Sequence, residues 1–305
     1  MPPVLRASSV FFRSGGQPDI MTDFSIIPAR LRGLVALALC ALLAACGSSR
    51  PVNTNPVVPT IDKQAHVPDF ARKPYQAFAR DDIVAMALRE WRAWGENIDD
   101  QPEGSRPDLG ENKPERQPGL WERVGEYWWL GQDADNNADS WTGKHDTFGT
   151  VFPPKQDGDY AWSAAFISYL MRMDGAGGRF PYSPSHSTYI NIAAEMAKGT
   201  TQGWAITAQR PDSYAPQPGD LICHGRQAAK TLRFEDLPAG QFTSHCDIVV
   251  AQQAGSLAVI GGNVDDTVTL KHIPIDGAGR IAAPGDRVYD TRYPWMIVIQ
   301  VQYDQ

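Results

Sequence analysis

The feature that most limits what this chain can fold into is a change of period at Gly203. Before it, apolar residues recur at helical spacing; after it come short strand-like runs separated by Gly, Pro and Asp turns. From Phe78 onward, Ile83, Val84, Ala87, Leu88 and Trp91 mark one helical face, and Asp81 or Asp82 can cap its start. Residues Trp121 to Trp129 predict a second, aromatic-rich helix, read as core packing ahead of a stacking platform for substrate. Residues Asp159 to Arg172 predict a buried helix stopped by Gly175, Gly177 and Gly178, and Pro184 starts another from Ser185 to about Ala197. The strand-like runs fall at 204–208, 219–223, 245–252, 256–261, 266–273 and 295–303. Helices first and an antiparallel sheet afterwards is an α+β pattern. Residues 96–118 and 133–158 read as loops.

The N-terminal part carries no such periodicity. From Met21 a short polar stretch with Arg30 and Arg32 leads into an uninterrupted apolar run, Leu34 to Ala45, and then Cys46. These are the parts of a secretory signal, and the run is shorter than the roughly 20 residues a membrane-spanning helix needs. Leu43-Ala44-Ala45-Cys46 resembles the lipobox of bacterial lipoproteins, in which the Cys takes a lipid and becomes the new N-terminus. The resemblance implies a signal over 1–45, with the true start possible at Met21, and a chain held by lipid in the cell envelope. Gly47, where many inner-membrane lipoproteins have Asp, points by the same resemblance to the outer membrane, facing the periplasm. Residues 46–74 hold Pro51, Pro56, Pro59, Pro68 and Pro74 among polar residues and read as a tether, leaving 75–305 as one domain.

Cleavage before Cys46 removes Arg6, Arg13, Arg30, Arg32, Asp19 and Asp23 from 28 basic and 35 acidic residues, which takes the formal charge from −7 to −9. With no basic cluster, nucleic acid is not an expected partner; the membrane, through lipid, is. Cys40 leaves with the signal, so Cys223 and Cys246 are the cysteines of the domain. In an oxidising compartment they read as a disulfide between neighbouring strands, with two separate buried thiols as the alternative.

Two stretches carry chemistry. Trp162-Ser163-Ala164-Ala165-Phe166-Ile167-Ser168 opens a helix. Pro218-Gly219-Asp220-Leu221-Ile222 is followed by Ser244-His245-Cys246-Asp247-Ile248 and then Ile260-Gly261-Gly262-Asn263-Val264. Together these resemble the papain-like cell-wall hydrolases of the NlpC and CHAP type, over roughly residues 160–270. In that family a Cys at a helix N-terminus is the nucleophile, a strand-borne His the base, and an Asn or Glu on a later strand orients the His. The resemblance implies helices packed on a twisted antiparallel sheet, with Ser163, His245 and Asn263 as the catalytic set. It implies no cofactor, and peptidoglycan or an envelope protein as partner. The order is kept, with 82 residues from Ser163 to His245 and 18 more to Asn263.

The departure is Ser163 itself. A helix N-terminus and an imidazolium can make a thiolate at neutral pH, but a hydroxyl must hand its proton over during attack. The pattern also resembles an uncharacterised group of bacterial lipoprotein domains with Ser at this position. Two function classes follow: a serine-dependent hydrolase of amide bonds in peptidoglycan peptides, or a binding or scaffold lipoprotein that has lost turnover. Trp162, His186 and His224 are expected to line the cleft. A metal held by His186, His224 and His245 lacks any supporting ligand spacing and is set aside. Asp247 is placed on the strand face opposite His245, in a structural role.

Overall fold

A computed structural model describes residues 77–102, 105, 107, 109–131, 160–285 and 287–304. The expected signal, lipobox and tether, and the expected loop over 133–158, lie outside the described residues. The compact unit that contains the described residues spans Lys73–Gln305.

Among the described residues, four α-helices, α1 (Arg80–Ala93), α2 (Trp121–Gly131), α3 (Ser163–Met173) and α4 (His186–Lys198), precede the strands. These are β1 (Ile206–Gln209), β2 (Leu221–Gly225), β3 (Ser244–Gln253), β4 (Ser256–Val264), β5 (Thr267–Pro274), the short pair β6 (Ala282–Ala283) and β7 (Arg287–Val288), and β8 (Trp295–Val301). The fold is therefore α+β. Six strands form one antiparallel sheet in the order β1-β8-β2-β3-β4-β5.

Strand alternation divides the core into two layers. Leu221, Cys223, Cys246, Ile248 and Val250 join the helices' apolar faces, whereas Ile222, Val249, Val298 and Trp295 form a second cluster. α3 is the central helix: every residue from Ser163 to Met171 is buried, as a helix apolar on nearly all sides must be. Its closest neighbour is α2, where Gly131 permits the approach; a Cβ there would lie 2.2 Å from the Ala165 carbonyl oxygen. Tyr127 and Trp128 of α2 are buried, and Trp129 is exposed, so this aromatic run mainly builds core. α4 ends at Gly199 in the left-handed conformation, with backbone N–H groups returning to Met196 and Glu195.

The β4–β5 hairpin turns on Asp265 and Asp266, both at positive φ between the paired Val264 and Thr267, a primed turn that suits strand twist. The expected 96–118 loop is more ordered than its composition suggests. Ile98 bridges to Leu270, two short 3-10 turns follow, and Glu115 and Arg116 are buried. Cys223 and Cys246, directly opposite on β2 and β3, are joined in a disulfide.

Candidate active site

The predicted helix over 159–172 begins in fact at Ser163, with Trp162 as its N-cap. This puts Ser163 in the first turn, where backbone N–H groups have no partner inside the helix. The side chain of Ser163 is almost wholly buried, yet it lines a polar cleft of about 740 Å³ together with His186, Arg226, Ser244, Asn263 and Asp265. A cleft of that size admits a small peptide or a drug-sized ligand.

The imidazole bonded to Ser163 is His186, not His245. Ser163 Oγ lies 2.7 Å from His186 Nε2, and His186 Nδ1 is bonded to the Tyr189 hydroxyl. His186 comes from the first residue of α4, so two helix starts converge. The His186 ring stands 5.4 Å from that of His245, and the His245 ring 5.7 Å from that of His224. The three expected histidines are thus brought together. Burial pulls all three toward the neutral form, and their mutual repulsion adds to this for His186 and His224. Among the described residues, no group of three His, Cys, Asp or Glu side chains is arranged to hold a metal ion.

His245 is oriented by Asp247, which corrects two expectations. Residues two apart on a strand share a face, so Asp247 lies beside His245 rather than opposite it, and its Oδ1 is 3.0 Å from His245 Nε2. Lys271 Nζ stands 2.7 Å from the other carboxylate oxygen, with both side chains buried. Burial alone would raise the Asp247 pKa, but Lys271 and His245 outweigh it and hold the carboxyl well below its usual range. Asp247 is therefore an anion that accepts the Nε2–H of neutral His245, which leaves Nδ1 as the basic atom.

Asn263, expected as the orienter, serves the other end of the site. Its Oδ1 accepts the Trp162 backbone N–H at 3.2 Å and its Nδ2 donates to Glu115 Oε2 at 3.3 Å, an oxygen that also takes the Trp162 indole N–H at 2.6 Å. Asn263 has a left-handed backbone, φ 56°, and neither of these hydrogen bonds goes to His245 or Asp247. Trp162 is buried against Trp94 and Tyr127, so it forms core behind Ser163 rather than a cleft wall. His224 lies in a smaller, half-open cavity of about 40 Å³ shared with His245, Lys271 and Asn263, its ring packed on Tyr293 and Trp295.

Two site residues had no sequence signal that stood out. Tyr189 follows His186 by one helical turn and reads as an ordinary core residue. Lys271 reads as an exposed residue of an alternating strand. Asp247 could have been found by counting two residues on from His245.

Among the described residues no helix is long and apolar enough to cross a membrane. No curated protein and no solved structure matches the chain. The family model for DUF2272, uncharacterized proteins conserved in bacteria, matches residues 115–301, from Glu115 to the end of β8 and across every residue of the site. The chain belongs to that family.

Proposed function

We propose that this chain is an envelope lipoprotein whose papain-like domain cleaves or transfers at amide bonds of peptidoglycan stem peptides, with Ser163 as the attacking residue. The observation that carries the reading is the position of Ser163 at the first turn of α3, on the wall of an open polar cleft, with the Asp247-oriented ring of His245 5.4 Å beyond that of His186. In the reaction, Oγ bonds to the substrate carbonyl carbon as its proton passes to His245 Nδ1. Asp247 steadies the imidazolium that results, in the role a carboxylate fills in a Ser–His–Asp triad. The same proton then goes to the leaving nitrogen as the C–N bond breaks, and water or an acceptor amine releases the acyl group from Ser163. The N–H groups of the first turn of α3, which have no partner inside the helix, suit the oxyanion.

The second reading, a binding lipoprotein without turnover, draws on one observation: the Ser163 oxygen is bonded to His186 and not to the carboxylate-oriented His245. Labelling of the full chain with a fluorophosphonate separates the two. The hydrolase reading expects labelling lost in Ser163→Ala and reduced at least about 100-fold in His245→Ala and Asp247→Asn. The rate should rise with pH and level off below neutrality, because burial holds the His245 pKa under its ordinary value. Absence of labelling in the wild type at every pH supports the binding reading. The anchor is tested separately: Cys46→Ser should move the chain from the membrane fraction to the soluble periplasm.

A further inference from the structure

His186 and Tyr189 form a buried polar pair whose hydrogen bonding settles which of the two ring nitrogens carries the proton. Tyr189 is fully buried, packed on Phe180 at 5.4 Å. Burial pushes its phenol well above the ordinary value, so it keeps its proton at neutral pH. Among the described residues its hydroxyl has one hydrogen-bond partner, His186 Nδ1. A buried hydroxyl proton with no acceptor is costly, so the O–H is donated to Nδ1, and Nδ1 must be bare. A neutral imidazole carries a single N–H, which then sits on Nε2, 2.7 Å from Ser163 Oγ. The hydrogen bond therefore runs from His186 to the serine oxygen, and the Ser163 hydroxyl proton is directed elsewhere.

The opposite assignment is poorer. If Ser163 donated to Nε2, the Nδ1–H would have to be given to the Tyr189 oxygen, and the phenol proton would be stranded in the core. His245 shows the complementary arrangement: its Nε2–H goes to Asp247, and its Nδ1 is the bare atom. Two histidines whose rings stand 5.4 Å apart thus present opposite chemistry, one a donor to Ser163 and one with a bare nitrogen.

We propose that Tyr189 is a positioning residue that locks His186 as the Nε2–H tautomer, so that His186 donates to the Ser163 oxygen and cannot serve as its base. The donor holds Oγ in place and stabilises the charge that gathers on it as its proton leaves. This consequence for the reaction rests on the reading of Ser163 as the attacking residue; the tautomer does not.

The test is nitrogen NMR of the full chain labelled with ¹⁵N-histidine, beside fluorophosphonate labelling. The wild type should show His186 with a protonated Nε2 and a bare Nδ1, and Ser163→Ala should keep that pattern, since Tyr189 sets it. Tyr189→Phe should lose the single tautomer and label about tenfold more slowly, with the pH midpoint of labelling, which belongs to His245, in place. A protonated Nδ1 in the wild type, or a tautomer that follows Ser163 rather than Tyr189, would overturn the proposal, and neither result depends on Tyr189→Phe folding. The expected tautomers in a protein that never labels would sustain the assignment of His186 as donor and count against Ser163 as nucleophile.

Discussion

At the scale of residues, the site depends on Gly261 and Gly262 as much as on its polar groups. A Cβ at Gly262 would lie 2.6 Å from Phe166 Cβ, and one at Gly261 would lie 2.0 Å from Asp247 Oδ1 and 2.8 Å from His245 Nε2. β4 therefore passes between α3 and the His–Asp pair only because neither residue has a side chain. The carboxylate cannot retreat, being buried and held by Lys271. Gly261→Ala should reduce fluorophosphonate labelling by about 100-fold or more. It should also destabilise the fold by about 1–3 kcal/mol, the usual cost of overpacking. Labelling and urea unfolding check the two parts, and wild-type labelling in Gly261→Ala would show that the His245–Asp247 contact does not matter to Ser163. The Gly261-Gly262-Asn263 sequence thus has one physical meaning: two residues let the strand pass, and the third fastens the backbone of Trp162.

At the scale of elements, the end of α3 is tied to the start of α1 by a carboxyl that resists ionisation. Asp174, the C-cap of α3, is buried and accepts the Ala79 backbone N–H. Burial, with Asp82 and Asp304 nearby, raises its pKa from 3.8 to about 7. The folded state thus binds this proton more tightly than the unfolded chain does. Its contribution is fully present below the unfolded pKa near 4 and fades as pH rises through about 7. Asp174→Asn removes that fade. Its melting temperature should exceed the wild type's by a few degrees at pH 8, with the gap narrowing as pH falls and closing near pH 4. A constant gap across that range would assign the effect to packing and not to charge.

At the scale of the whole molecule, the disulfide fastens β2 to β3 at the middle of the six-stranded sheet, across 23 residues of sequence. Closing a loop of that length is worth about 3 kcal/mol in the chain-entropy model. The Cys223→Ser, Cys246→Ser double variant should therefore unfold at lower urea by about that free energy. Ser163 labelling of its folded fraction should persist, because both sulfurs belong to the helix-side core and not to the face of His245. Loss of labelling in folded, reduced protein would show that the bond also sets the spacing of the histidines.

Much of the layout is readable from local pattern. Helical spacing before Gly203 and alternation after it are properties of neighbouring residues, and they place α1, α2, α4 and the six main strands to within a few positions. The Trp-Ser-Ala-Ala-Phe helix start and the Ser-His strand start are legible for the same reason, as is the disulfide pairing once both cysteines lie on adjacent strands. What local pattern cannot contain is which partner each polar group finds. Asn263 goes to Trp162 and to Glu115, the latter 148 residues away in sequence. Lys271 is buried because β5 carries it to Asp247 on β3, with β4 between the two strands. Ser163 meets His186 because the starts of α3 and α4 converge in space. Residue type and period reveal the elements, since those depend on contacts a few residues apart. The roles in the site depend on distances across strands and between helix ends, and only the packed fold sets those.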